Sequence, residues 1–280
     1  MPITTNSVIS EVIDETYDTV TLCLDVQDPI PHIPGQSIGI DPKQFEPLQG
    51  RVQLVETIAK EKNCRALTAM KLYSLANSSL DFRKLYITIK VEEDREGYPP
   101  SLLSPYAVKD MGSGEAMIVK GPYGKKFLFQ PKEGDRFVFW GAGSGVVPLM
   151  YFLEHVDGQG LSNEILFFDS NKTPEDIIYN TRLKAIESEN SNIRIVHSIT
   201  RPETSSRQWL GRVGRLVQLR DPNDLESLEF PSDIDAYSKE IPFEDAYHYI
   251  CGSLGFGQGI KKALLNRAVD KDRIYLEAWG

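Results

Sequence analysis

Cysteine is scarce in this chain and metal-binding patterns are missing. The three cysteines, Cys23, Cys64 and Cys251, are too few and too scattered for a disulfide framework. They also cannot supply the four thiolates of an ordinary iron–sulfur cluster. No CxxC, CxxCH or HExxH pattern occurs, and His32, His155, His197 and His248 lie far apart without a ligand spacing. Each histidine is read as structural, no metal site is expected, and any redox chemistry would need an organic cofactor. Long apolar runs are also absent. None reaches the roughly 18 residues of a membrane span, so no membrane insertion is expected. The start, Met1-Pro2-Ile3-Thr4-Thr5, has no charged region leading into an apolar core. No secretory signal is expected, and the expected location is cytoplasmic. Basic excess is missing too: 31 Lys and Arg face 40 Asp and Glu, a net charge of −9. Nucleic acid or an anionic membrane would not be held by such an overall field.

What is present is a globular composition, with 41% hydrophobic and 25% charged residues. The 280 residues suffice for two ordinary domains. The first half reads as β. Val20, Leu22, Leu24 and Val26 alternate with Thr21, Cys23 and Asp25, the period of a half-buried strand. Residues 37–40, 85–91 and 115–120 read as further strands, broken by turns such as Pro34-Gly35-Gln36 and Gly121-Pro122-Tyr123-Gly124. Short strands with such turns suggest a small barrel or sandwich. Ser104-Pro105 has the form of a helix N-cap followed by proline.

Beyond Pro131-Lys132 the pattern changes. Phe137-Val138-Phe139-Trp140 is a continuous apolar run, as in a strand buried on both faces. Runs at 165–168, 193–196, 247–250 and 274–277 read as further strands. Helices are expected at 147–155, from Thr173-Pro174-Glu175-Asp176 onward, and at 257–269. This alternation predicts a parallel α/β sheet. The expected domains are therefore 1–131 and 132–280. The acidic stretch 221–245 reads as an exposed loop.

Several segments could carry chemistry. Gly141-Ala142-Gly143-Ser144-Gly145 links a buried strand to a helix, where glycines and free amides can receive a pyrophosphate. An ordinary tight turn is the alternative, since Val146 stands where the last glycine of a GxGxxG fingerprint would fall. Cys251-Gly252-Ser253 follows a strand, at the end where parallel sheets bind ligands; a small buried residue there is the alternative. Lys71-Leu72-Tyr73-Ser74 offers a cation, a ring and a hydroxyl, or an ordinary strand. Glu277-Ala278-Trp279 ends on an aromatic that could pack or stack on a flat ligand.

Taken in order, Pro34-Gly35-Gln36-Ser37, Lys71-Leu72-Tyr73-Ser74, Gly121-Pro122-Tyr123-Gly124, Gly143-Ser144-Gly145-Val146-Val147-Pro148, Cys251-Gly252 and Glu277-Ala278-Trp279 resemble the ferredoxin–NADP⁺ reductase family. The resemblance runs from about residue 5 to the end. It implies an N-terminal antiparallel six-stranded β-barrel binding FAD, then a Rossmann-like α/β parallel-sheet domain binding NAD(P). Lys71 stands where the family's arginine reaches the flavin pyrophosphate, as a point charge without arginine's fork. Leu72 lies within the same motif. Tyr73 would stack on the isoalloxazine and Ser74 would lie near its N5. A helix N-terminus would supply a second pyrophosphate contact, matched by Ser104 with Ser101 as competitor. Gly143, Ser144 and Gly145 would hold the nicotinamide nucleotide's pyrophosphate. Cys251 and Gly252 would lie near the nicotinamide. Ser74, Cys251 and Glu277 would position the reacting rings, and Trp279 would cover the flavin, with Gly280 one residue beyond the usual terminal aromatic.

Thr200 and Arg201, with Arg212 and Arg215 close behind, match the place where NADP-using members meet the 2′-phosphate, so NADP(H) is favoured over NAD(H). The 170–176 loop also resembles NADH-using relatives. The implied activity is a flavoenzyme that moves hydride between NADP(H) and FAD and single electrons to or from a ferredoxin or flavodoxin. Lys60, Lys62, Arg65, Lys71, Arg83, Lys84, Lys125 and Lys126 could form a basic surface for such an acidic carrier. The alternatives are an NADH-using reductase component of a multi-component oxygenase, a free flavin or quinone reductase, and a non-catalytic nucleotide-binding regulatory subunit. The insertion at 41–66 has no legible role.

Overall fold

The computed structural model describes residues 1–63, 68–76, 81–92, 100–221, 223–224 and 226–279. Cys64, Arg65 and Gly280 lie outside the described residues. The chain divides into two units, residues 1–125 and 126–280. The division falls six residues before the expected boundary, for a packing reason. Phe129 stacks on Phe152 at 4.6 Å and meets Phe137 edge-on at 4.9 Å, and the Tyr249 hydroxyl donates to the Leu128 carbonyl at 2.9 Å. Residues 127–129 therefore belong to the core of the second unit.

The first unit is a six-stranded antiparallel sheet. It comprises β1 (Ile3–Thr16), β2 (Thr19–Val26), β3 (Ser37–Ile40), β4 (Lys71–Ser74), β5 (Lys84–Lys90) and β6 (Ala116–Tyr123). The order is β4-β3-β6-β1-β2-β5, and a bridge between Leu75 and Ile87 brings the two edges together into a nearly closed barrel. Strand β2 departs from the half-buried expectation, because Thr19, Thr21 and Cys23 are buried along with Val20, Leu22 and Leu24. Their hydroxyls stay satisfied: Thr19 bonds Asp18 at 3.0 Å, and Thr21 meets Thr88 and Glu15 at 2.7 Å each. A paired hydroxyl can be buried at little cost. The 41–66 insertion is largely helical. Two short turns lead into α1 (Gln49–Glu61), whose Val52, Val55 and Ala59 form one buried stripe. Helix α2 (Leu103–Lys109) packs beside β2 and β5.

The second unit is a parallel sheet of β7 (Arg136–Ala142), β8 (Glu164–Asn171), β9 (Ile193–Ile199), β10 (Arg212–Val213), β13 (Tyr247–Ser253) and β14 (Ile274–Trp279), in the order β10-β9-β8-β7-β13-β14. Helix α3 (Val146–Gly158) packs on β7 and β13, and α4 (Asn180–Glu189) packs on β9. Helix α6 (Leu254–Asn266) contributes Ile260, Ala263 and Leu264 to a core with Val138, Trp140, Leu166, Phe168 and Ile250. The sheet reverses direction of growth between β7 and β13, the switch point of such folds. The helix expected from Thr173 is a single turn, Pro174–Asp176. Ile177 is extended and Tyr179 has a positive φ of 61°, so α4 starts only at Asn180.

The 221–245 stretch is not simply an exposed loop. A small hairpin pairs β11 (Gln218–Leu219) with β12 (Leu228–Glu229), and a short helix α5 (Ser232–Asp235) follows. Phe230, Ile234, Ile241 and Phe243 are buried against the sheet. Trp140 is the anchor. It stacks on Phe168 at 4.6 Å and on Phe230 at 5.0 Å.

Trp140 Nε1 donates to His248 Nδ1 at 3.1 Å, and His248 Nε2 lies 2.8 Å from the Phe243 carbonyl. These partners fix a neutral ring that accepts at Nδ1 and donates at Nε2. Burial pushes its pKa from 6.5 down to about 4, helped by Arg273 and opposed by the Phe243 carbonyl. The unfolded chain therefore takes up a proton near pH 6.5 while the native ring resists to about pH 4. Stability is full above pH 6.5 and falls across this window. At pH 5 the loss attributable to His248 should be about 2 kcal/mol. Urea unfolding at pH 7 and pH 5 checks this against His248→Gln, which should lose that part of the acid dependence. An identical acid limb in both proteins would refute the assignment.

Candidate functional site

In the second unit the site begins where β7 ends. Gly143 to Gly145 form one tight turn, and α3 starts directly at Val146. Gly143 has φ +53°, which favours glycine. Gly145 is required for a different reason: a Cβ there would lie 2.0 Å from the Cys251 carbonyl oxygen. The turn rests on the end of β13 only because no side chain intervenes. No side chain caps the start of α3; the Val146 amide already donates to the Gly143 and Ser144 carbonyls and Pro148 has none to give, so what the helix start offers an anion is chiefly its positive dipole end.

Cys251 is fully buried, in register between Gly141 and Glu277. Burial, with the Glu277 carboxyl beside it, pushes its thiol well above the ordinary range. Cys251 is thus a neutral thiol rather than a thiolate nucleophile. Glu277 Oε2 is buried without a hydrogen-bond partner, and burial pushes its pKa up to about 7. An unmet buried carboxyl oxygen is costly unless something completes it. Gly252 is buried opposite Ala278, and Trp279 ends β14 with 42% of its surface exposed. The glycine turn, Cys251, Gly252 and Glu277 thus come together at the carboxyl ends of β7, β13 and β14. The bare turn and the orphan carboxyl fit a dinucleotide whose pyrophosphate accepts amide bonds and whose ring end carries polar hydrogens.

In the first unit, β4 carries Lys71, Leu72, Tyr73 and Ser74, with Tyr73 opposite Ile38 and Ser74 opposite Ser37. Lys71 Nζ lies 3.3 Å from both oxygens of Glu92. Its charge is partly answered already, which also weakens it as part of a basic docking surface. Burial, then the Glu92 charge, push the Tyr73 phenol upward. Leu72 is 55% exposed. Ser104 is not an N-cap, since it sits inside the first turn of α2. Its hydroxyl accepts from the Glu92 amide at 3.0 Å and lies 3.2 Å from the Ser101 hydroxyl. The hydroxyl of Ser104 ties down the β5–α2 connection instead.

A third group lies at the carboxyl ends of β8 and β9. Thr200 bonds the Asn171 carbonyl at 3.2 Å, and the Arg201 amide donates to the Lys172 carbonyl at 2.8 Å. The Arg201 side chain is exposed. Arg212 is committed elsewhere: it pairs with Asp233 at 2.7 Å and bonds Ser198, the Gly214 carbonyl and the Arg215 carbonyl. It braces β9 against α5 and leaves no free fork for a phosphate. Sequence reasoning missed two features here. Asp169 accepts from Asn171 at 2.8 Å and pairs with His197 at 2.9 Å, a buried polar triplet on β8 and β9. The signal was the polar Asp169 and Asn171 closing an apolar strand two residues apart. Glu175 is held by the hydroxyls of Ser205 and Ser206, a link between two loops that no spacing reveals.

A nearly closed antiparallel barrel followed by a parallel sheet with a glycine turn at its switch point is a specific architecture. The chain has the ferredoxin–NADP⁺ reductase-like fold. Within it, residues 139–262 match the sequence model of the oxidoreductase NAD-binding domain. Over 270 residues the chain is 23% identical to the glycine betaine monooxygenase reductase subunit of Chromohalobacter salexigens, covering 96% of this chain and 62% of that protein. The chain spans about half to three-fifths of the length of the curated relatives it matches. Its fold is similar to the FAD/NAD-binding domain of nitric oxide dioxygenase from Vibrio cholerae, with a TM-score of 0.71, 20% identity and coverage of 99% and 98%. It is also similar to ferredoxin–NADP⁺ reductase from Plasmodium falciparum, with a TM-score of 0.67, 16% identity and coverage of 98% and 95%.

Proposed function

We propose that this chain is a flavin-dependent NAD(P)H oxidoreductase that exchanges electrons with a protein partner. One observation carries the reading: Gly145 is pressed against the Cys251 carbonyl, beside a Glu277 carboxyl whose buried oxygen has no partner. Such an arrangement is built to receive a dinucleotide at a strand end. Bound FAD and pyridine nucleotide would supply hydride and single-electron chemistry. The protein's own residues bind, orient and shield. The glycine turn, Ser144 and the positive end of α3 would hold a pyrophosphate. Cys251, a neutral thiol, would offer a small uncharged wall, and Glu277, half protonated near neutral pH, would hold or pass a proton at its carboxyl oxygen. In the barrel unit, Lys71 would meet the flavin pyrophosphate, and Tyr73 and Ser74 would face its ring.

The electron partner is proposed as a small acidic carrier of the ferredoxin or flavodoxin kind. Lys60 and Lys62, at the end of α1, are exposed and suit it. A second reading, a reductase subunit serving one dedicated oxygenase, is favoured by the monooxygenase reductase subunit among the relatives. Co-purification of a stable second subunit would select it.

The first test is the visible spectrum of the desalted protein. Bands near ~375 and ~450 nm are expected of bound flavin, with bleaching on anaerobic addition of a reduced pyridine nucleotide. A protein that stays colourless after incubation with FAD would sink the reading and favour a regulatory subunit. Lys71→Ala is expected to weaken FAD binding about tenfold, the worth of one charge-assisted hydrogen bond. Flavin release measured by fluorescence checks this, and unchanged release would remove Lys71 from the site.

A further inference from the structure

The donors assigned to a flavin phosphate in the first unit converge on one carboxylate. Lys71 and Tyr73 alternate along β4, so they share a face. Glu92 follows the end of β5 and reaches that face: Lys71 Nζ lies 3.3 Å from both of its oxygens. Among the described residues Lys71 makes no other ion pair. The Glu92 charge is also felt at the Tyr73 phenol, where it adds to burial in pushing the pKa upward. The Ser104 hydroxyl accepts from the Glu92 amide at 3.0 Å, and the Ser101 hydroxyl lies 3.2 Å from that of Ser104.

The Glu92 backbone is held from both sides. Val91 donates its amide to the Asp18 carbonyl at 2.9 Å, and Glu92 donates its own to Ser104. The carboxylate therefore starts from a fixed point beside β4 and has only its own side chain with which to withdraw. Its two oxygens present to Lys71 what a phosphate would, an anion with more than one acceptor. A flavin phosphate arriving at Lys71 must displace this carboxylate and then lie close to it. Two anions that close repel each other. The pair is partly in water, with 24% of the Lys71 and 49% of the Glu92 side chain exposed, so the opposition is graded rather than absolute.

We propose that Glu92 is a built-in competitor for the flavin phosphate: its carboxylate takes up Lys71 and repels the incoming anion, so that this chain selects its flavin by the ring more than by the phosphate. The inference rests on the flavin reading above and deepens it. The selection works through a repulsive element set beside an attractive one.

The test is calorimetric titration of the full chain, dialysed free of flavin, with riboflavin, FMN and FAD. Riboflavin carries the ring without a phosphate and so reports every contact except that one. In the wild type, FMN should bind less than about fivefold more tightly than riboflavin. Glu92→Gln keeps the size and the backbone bonds but removes the charge. It should tighten FMN and FAD by at least about fivefold and change riboflavin by less than about twofold. Glu92→Asp draws the carboxylate back by one methylene and should shift the FMN-to-riboflavin ratio the same way by less. A merely structural role would move all three flavins together and leave the ratio fixed. A larger preference for FMN over riboflavin in the wild type, or a ratio that fails to rise in Glu92→Gln, overturns this proposal and leaves the flavin reading standing. Absence of binding of all three flavins by both proteins overturns both.

Discussion

Replacing Trp140 with alanine should destabilise the second unit by about 5 kcal/mol, close to the whole stability of many domains. Two terms add. The first is the cavity. Trp140 is fully buried and sandwiched between Phe168 and Phe230, which cannot collapse onto each other without moving β8 and the segment after β12. Large aromatic deletions of this kind cost about 3–5 kcal/mol. The second is His248 Nδ1, which loses its donor and becomes a buried unsatisfied acceptor. Trp140→Phe should recover part of the packing but not the hydrogen bond. Urea unfolding monitored by circular dichroism reads both. A loss below about 2 kcal/mol for the alanine variant would mean the 221–245 segment is not anchored there.

Gly145→Ala adds one methyl group and should still cost about 3 kcal/mol, because overpacking against backbone has no soft neighbour to yield. The new carbon would lie 2.0 Å from the Cys251 carbonyl oxygen and 2.5 Å from its carbonyl carbon. Relief requires that the turn lift off β13, which also moves the turn and the start of α3 away from the proposed pyrophosphate position. Pyridine-nucleotide affinity should therefore fall by at least about tenfold. Gly143→Ala is the control. Nothing lies within 4 Å of its Cβ, and only the φ of +53° is strained. Its expected cost is about 1–2 kcal/mol. Equal affinity in Gly145→Ala and wild type, measured by titration with NAD⁺, would show that the close approach to Cys251 has no part in binding.

The strands of both units were legible because their burial is periodic or continuous. Val138 and Trp140 show one sheet face and Phe137 and Phe139 the other, and both faces are covered. The glycine turn, Cys251 and Glu277 were legible as a set through the family resemblance. Other features were not. The helix expected from Thr173 is a single turn, since Tyr179 takes a left-handed conformation that no propensity anticipates. The acidic 221–245 stretch was read from its charges, yet Phe230, Ile234 and Phe243 turn inward beneath them. Ser104 looked like a cap by its place before proline, whereas its hydroxyl serves the Glu92 amide.

The sequence by itself determined the architecture: antiparallel strands in the first half, alternating strands and helices in the second, and a glycine turn where they need one. Those are local properties, set by side-chain period and backbone freedom within a few residues. The tertiary structure decided which charges are still available. Arg212 answers Asp233 across 21 residues, and Glu175 takes hydroxyls from residues 30 and 31 positions away. Electrostatic strength depends on distance and burial rather than on order along the chain. That is why an arginine that reads as a phosphate ligand in the sequence is a brace in the folded protein.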